Sequence, residues 1–271
     1  MQRSLSSLIL RQIILVCPSK APLSPSTIAT ELATRLYVTG IPSTGEVMRL
    51  PSPAVQHLQA RRLRSGEGLV LFDGNGGEYQ ATLLTLDRRH AEVRIEAHRP
   101  REVESPVAVT LLQGISKGER MDYSIQKATE LGVAKIIPVT TSRCVVKLDA
   151  ERWAKKQRHW QAIAIAACEQ CGRNQVPEVA MPCSLENALT SIDHPLGVIF
   201  DTDGDRAITE LKATHAIATL IGPEGGLAPE EITRVADLGW QRIRLGPRVL
   251  RSDTAPVAAL AVIQASIGDL R

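Results

Sequence analysis

Two stretches in the last third of the chain share one construction, and together they limit the fold. In "LIGPEGGLAPEEI" (220–232), Ala216–Ile221 with its β-branched Ile217, Thr219 and Ile221 reads as a buried strand. Pro229, Glu230 and Glu231 then open a helix with an apolar series at Ile232, Val235, Ala236 and Leu238. The second stretch runs from the strand "QRIRLG" through Gly246-Pro247-Arg248-Val249-Leu250-Arg251-Ser252-Asp253-Thr254 into the apolar helix "APVAALAVIQASIGDL". A strand that passes through a tight turn into a helix, twice, implies an α/β domain with a mostly parallel sheet, because parallel strands need crossovers. In open α/β sheets ligands lie outside the carboxyl ends of the strands, so both turns belong to the candidate site. Gly222, Gly225, Gly226 and Gly246 let a ligand approach the main chain closely, although tight turns alone also use glycine. Neither turn has the G-x-x-x-x-G-K-[ST] or G-x-G-x-x-G pattern, and Glu224 would repel phosphate. A neutral or cationic molecule with hydrogen-bonding edges fits better.

Strand and helix patterns alternate from residue 107: "VAVTLLQG", the helix "RMDYSIQKATELG", "AKIIPVTT", the long helix "AERWAKKQRHWQAIAIAACEQCG", "GVIFDTD" and "IATLIG". Upstream the pattern is β. "EGLVLFDGNGGEYQATLLTL" forms a hairpin around Asp73–Gly77, "HAEVRIEAH" is a further strand, and residues 53–64 form a short basic helix. Its Arg61, Arg62 and Arg64 either touch phosphate or form a solvated face. The charged, Pro-flanked "RPREVESP" marks the boundary between a domain at 34–104 and one at 105–271.

Lys and Arg total 32 against 29 acids, so the net charge of +3 does not announce nucleic acid and any RNA contact must come from local patches. Aromatics at 3% disfavour a single-strand binder built on stacking rings. The five cysteines are scattered, as in a reducing cytosol, and a cytoplasmic location is expected. Cys168-Glu169-Gln170-Cys171 has no second pair or neighbouring His, so it reads as two apolar helix residues and no metal is expected. Residues 1–33 contain no acid before Glu31, and Arg11 breaks the short apolar stretch 5–16. They read as an unstructured extension that neither crosses a membrane nor makes a good secretory signal.

The paired turns, with "QGISKGERMDYSIQKATELGVAKIIPVTTSRCVVKL" and "QAIAIAACEQCGRNQVPEV", resemble the RsmE family of ribosomal RNA methyltransferases, over about residues 35–271. The resemblance implies an N-terminal PUA-like β-barrel, a C-terminal SPOUT methyltransferase domain with a trefoil knot, and a homodimer. It also implies S-adenosylmethionine as methyl donor and N3 of a uridine in the decoding region of 16S rRNA, in the 30S subunit, as target. By the same resemblance Leu220, Gly222, Glu224, Gly225 and Gly226 form one wall of the cofactor site, and Leu245, Gly246, Val249, Leu250 and Arg251 the other. Lys117, Arg120, Lys127, Arg143 and Arg173 match basic positions expected to meet RNA.

The chemistry needs the N3 proton to leave and the charge spread over O2 and O4 to be stabilised. Arg251 is the first candidate for stabilising that charge. Glu130 and Asp253 are candidate proton acceptors, although Glu130 has a ready alternative in pairing with Lys127. Ser252-Asp253 stands where Thr-Glu is commoner, which shortens the acid, and Pro256 departs from the usual small helix former. "FDTDGDRAI" has no matched counterpart, so no ligand is assigned to Asp201 or Asp203. The competing readings are a related methyltransferase acting at another RNA site and a non-catalytic RNA-binding assembly protein.

Overall fold

The computed structural model describes residues 34–192, 196–211 and 214–270. The expected extension over 1–33 lies outside the described residues.

The first sheet is built from β1 (Thr34–Tyr37), β2 (Val47–Arg49), β3 (Gly68–Phe72), β4 (Glu78–Leu86) and β5 (Ala91–Arg99), in the order β1-β3-β4-β5-β2. β1 pairs with β3 in parallel and the other pairs are antiparallel. β5 shows the cause most clearly: Ala91, Val93 and Ile95 point inward while Glu92, Arg94 and Glu96 point out, the two-residue period of a half-buried strand. Helix α1 (Ser52–Ala60) closes this core with Ala54, Val55 and Leu58. The helix expected over 53–64 therefore stops early. Arg62 adopts φ 58°, which no helix continues through, so Arg61, Arg62 and Arg64 sit exposed in the turn beyond it.

The second sheet is built from β6 (Ala108–Gly114), β7 (Val133–Thr140), β8 (Glu178–Val179), β9 (Cys183–Ser184), β10 (Gly197–Phe200), β11 (Arg206–Ala207), β12 (Ala216–Ile221) and β13 (Gln241–Arg244). Its order is β11-β13-β10-β12-β6-β7-β8, with β9 also on β7, and every pairing is parallel. β6 and β12 lie in the middle and are buried along nearly their whole length, hence their mostly apolar runs. Helices α2 (Glu119–Glu130), α3 (Ala150–Cys171) and α6 (Thr254–Ile267) cover one face through Met121, Ile125, Trp160, Ala164, Leu260 and Ile263. Helices α4 (Leu185–Thr190) and α5 (Pro229–Asp237) cover the other through Leu185, Ala188 and Val235, against Leu112, Ile199 and Leu220. The mixed α/β class with a parallel sheet, preceded by a smaller β module, is as the sequence indicates.

α3 is capped at both ends. Asp149 accepts the Arg152 amide at 2.8 Å, and Gly172 takes φ 87° past the last turn. Cys168 and Cys171 lie in that last turn, and burial pushes the Cys168 thiol up to about 12, so it stays protonated at neutral pH. Among the described residues no group of three or more His, Cys, Asp or Glu could hold a metal, and no helix is long and apolar enough to cross a membrane.

Arg173, expected to meet RNA, is only 5% exposed. Its Nε and Nη2 hold Glu104, and its Nη1 donates to the carbonyls of Thr129 and Val133, both at 2.9 Å. Next to it, Arg35 of β1 reaches Glu78 and the Asn174 side chain, each at 2.6 Å. Arg173 thus ties residues 104, 129 and 133 together rather than facing solvent. Replacing it with methionine, Arg173→Met, leaves Glu104 and two carbonyls without their partner and is expected to cost about 3 kcal/mol. Urea unfolding measures this; a change below about 1 kcal/mol would contradict the structural role.

Candidate active site

The strands β10, β12 and β13 end side by side, and a cleft of about 640 Å³ opens beyond their carboxyl ends. The first Gly-Pro turn lines it from Ile221 to Leu227 and the second from Leu245 to Ser252, leaving out Pro247. Phe200, Ile221, Leu227, Leu245 and Leu250 give it an apolar floor and sides, and Arg120, Arg143, Arg244, Arg248 and Arg251 give it positive charge.

The turn at 222–227 is held by its neighbours. Glu224 accepts the Lys117 amide at 2.9 Å and Arg120 Nη1 at 3.1 Å. Arg143 Nη1 donates to the Gly225 carbonyl at 3.2 Å. Glu231 takes the Ser142 amide and the Ala228 amide, each at 2.8 Å, which caps α5 and anchors it to the segment after β7. Burial alone would raise the Glu224 carboxyl. The Lys117 amide, its own amide and Arg120 outweigh that and hold it below its ordinary value.

The glycines divide by cause. A side chain on Gly225 would place its first carbon 3.2 Å from both Cβ and the carbonyl oxygen of Arg143, so glycine there admits a neighbouring protein segment. Gly246 has open space around it but takes φ 87°, so it serves the backbone.

Of the residues expected to contact a cofactor, all but Leu220 line the cleft. Leu220 is fully buried and packs in the core with Leu112, Ile199 and Val235, because side chains alternate along β12. Arg251 lines the cleft, its side chain 69% exposed. The two candidate proton acceptors do not line it. Both carboxylate oxygens of Glu130 take the Lys127 ammonium, at 2.8 and 2.9 Å. Asp253 lies 3.8 Å from Arg251 Nε, and its Oδ1 is buried without a hydrogen bond. Ser252 is buried and hydrogen-bonds Ser116 at 3.1 Å. Arg120 and Arg143, expected to meet RNA, are part of the cleft itself, while Lys117 offers its amide to Glu224 and leaves its side chain exposed. The segment Phe200–Asp203, to which the sequence assigned no ligand, also lines the cleft. Asp201 is held by Arg242 and its amide by the Ile243 carbonyl. Its position after β10, beside two Gly-Pro turns, was the available signal.

The RNA methyltransferase domain family matches residues 103–264, and the RNA methyltransferase PUA domain matches residues 50–96. The ribosomal RNA small subunit methyltransferase E of Buchnera aphidicola (from Schizaphis graminum) is 31% identical over 239 residues, covering 87% of this chain and 97% of its own. The chain belongs to the ribosomal RNA small subunit methyltransferase E family. A solved member of this family, from Neisseria gonorrhoeae and bound to S-adenosylmethionine, is 38% identical. The likeness covers 88% of this chain and all of that one, with a TM-score of 0.84. A Legionella pneumophila protein solved with S-adenosylmethionine bound is 40% identical, with a TM-score of 0.85 over 88% of this chain and 99% of that one. The resemblance drawn from the turns is thereby established as family membership, and the small first sheet agrees with the PUA match.

The Glu224 tie has a direct readout. Its carboxylate should titrate below the ordinary glutamate value of about 4.3. Its contribution to stability is present above that value and fades as the pH falls through the depressed one. Arg120→Ala should move the titration upward in a carboxyl-selective NMR experiment; an unchanged midpoint would dissociate the two groups.

Proposed function

We propose that this chain methylates N3 of a uridine in 16S rRNA, within the 30S subunit at the decoding region, using S-adenosylmethionine. The observation that carries the reading is the cleft itself: two Gly-Pro turns at the ends of β12 and β13, which flank β10, apolar inside and lined by arginines at residues 120, 143 and 251. The family and the cofactor carried by two solved relatives support it.

The residues present fit that cofactor. The cleft volume lies in the range of small-molecule sites, and the carbonyls and amides of 222–227 and 245–250 offer the hydrogen-bonding edges that an adenosine needs. Gly222, Gly226, Leu245, Gly246, Val249 and Leu250 are assigned to holding it. Bound there, the cofactor supplies an electrophilic methyl group on a sulfonium.

The chain does the rest. The second turn presents Arg251 to the base, where its charge favours the anion left on O2 and O4 when the N3 proton departs. With Glu130 committed to Lys127 and Asp253 outside the cleft, neither acid receives that proton directly in this reading. The exposed Arg61, Arg62 and Arg64 beyond α1 are assigned to phosphate, positioning the RNA without reading its sequence. Residues 34–104 would thus hold RNA and residues 105–271 perform the chemistry. A cytoplasmic homodimer with a knotted chain path completes the reading.

Nucleoside mass spectrometry of 30S particles lacking the modification, incubated with this protein and S-adenosylmethionine, should show a gain of 3-methyluridine at one site of 16S rRNA. Transfer to a different nucleoside would favour a relative with another target, and cofactor binding without any transfer would favour a non-catalytic role. Gly225→Val should displace the turn through Arg143 and weaken S-adenosylmethionine by about tenfold or more in calorimetry, with the far-UV dichroism unchanged. Affinity equal to the parent's would refute the placement of the cofactor against this turn.

A further inference from the structure

We propose that Glu224 is a positioning residue that aims Arg120 at the base being methylated, and that Arg120 acts as a catalytic residue rather than a phosphate contact. The inference rests on the reading of the cleft as a methyl-transfer site.

Three observations carry it. Glu224 Oε1 takes two donors from the segment after β6, the Lys117 amide at 2.9 Å and Arg120 Nη1 at 3.1 Å. Arg120 lines the cleft with its side chain 41% exposed, and its Nε and Nη2 have no hydrogen-bond partner among the described residues. The other arginines of the cleft are placed differently. Arg143 spends Nη1 on the Gly225 carbonyl, and Arg251 is 69% exposed with Asp253, 3.8 Å away, its one ion-pair neighbour among the described residues.

The physical difference lies in charge against direction. A guanidinium paired with a carboxylate exerts little net field on a polyanion, so it is a poor phosphate magnet. Its planar N–H fork keeps its direction, and gripping one nitrogen fixes where the others point. Such a donor suits an acceptor that becomes negative only during reaction, because it is already oriented when the charge forms. In this step N3 passes its proton to water and gains the methyl group, whose bond to the sulfonium sulfur would break with the electron pair left on sulfur. The electron pair of the N3–H bond stays on the ring as charge on O2 and O4 until the new C–N bond takes it up. Arg120 is placed to meet that charge, and Glu224 keeps it aimed.

The test is single-turnover methylation of 30S particles at saturating S-adenosylmethionine and varied RNA. The parent is compared with Arg120→Ala, Glu224→Gln and the double variant, with cofactor affinity measured by calorimetry. Inactive parent protein would fail the functional reading itself. With an active parent, Arg120→Ala should slow the maximal rate by about a hundredfold and Glu224→Gln by about tenfold. The double variant should be no slower than Arg120→Ala alone, because Glu224 acts only through Arg120. Cofactor affinity should stay within about twofold in Arg120→Ala, and saturating S-adenosylmethionine keeps any change that Glu224→Gln makes in cofactor binding out of the measured rate. The proposal is overturned if the two effects multiply in the double variant. Rescue of the Arg120→Ala defect by more RNA would make Arg120 a phosphate contact and overturn it too. So would loss of cofactor affinity in Glu224→Gln with the rate preserved.

Discussion

Nothing fits between the end of β6 and the Gly222–Pro223 peptide. A first side-chain carbon on Gly114 would lie 2.3 Å from the Pro223 nitrogen and 2.6 Å from the Gly222 carbonyl carbon. β6 and β12 are neighbours in the middle of the sheet, in register to Gln113 and Ile221. Their continuations must therefore cross at van der Waals contact, and only glycine permits it. The rest of the site follows from that crossing. The chain leaving Gly114 runs beside the turn, which brings the Lys117 amide to Glu224 and, one step into α2, Arg120 to the same carboxylate. The segment after β7, the next strand beyond β6, supplies Arg143 to the Gly225 carbonyl and the Ser142 amide to Glu231 of α5. The turn is thus held by two adjacent strand ends.

Arginine performs two jobs in this chain, and burial separates them. Arg35 and Arg173 are largely withdrawn from water, and each meets a carboxylate and backbone or amide oxygens. A buried pair gains little net stability over an apolar one, because desolvation cancels much of the attraction, but it tolerates few alternative arrangements. Arg35 comes from the five-stranded sheet and Asn174 from the segment after α3, so the contact fixes how β1 meets that segment. Arg61, Arg120, Arg143 and Arg251 keep part or most of their surface in water, where donors remain open to a ligand.

Periodicity carried much of the fold. The mostly apolar runs of β6, β7 and β12 and the alternation of β5 are direct consequences of burial on two faces or one. Short elements escaped it: β8, β9 and β11 have two residues each, too few to show a period, and α4 has six. The site was legible where backbone chemistry makes it, in the two Gly-Pro turns. It was not legible where a side chain's direction decides, because Leu220 and Ile221 are neighbours in sequence and only Ile221 lines the cleft. Nor could sequence show that Arg173 is buried while Arg120 is not, since both sit in polar surroundings and only the packing of Glu104 against the α2–β7 turn distinguishes them.

The formal net charge of +3 conceals how the charges are deployed. Three acids line the cleft with the arginines, but two of them are already taken, Asp201 by Arg242 and Glu224 by Arg120 and the Lys117 amide. Arg244 and Arg248 have no ion pair among the described residues, Arg143 contacts only a carbonyl, and Arg251 is loosely placed beside Asp253. The cleft therefore carries both uncompensated positive charge, at Arg244, Arg248 and Arg251, and paired, directed charge, at Arg120. A modest overall excess suffices for a polyanionic partner when the acids near the cleft are spent on holding its walls.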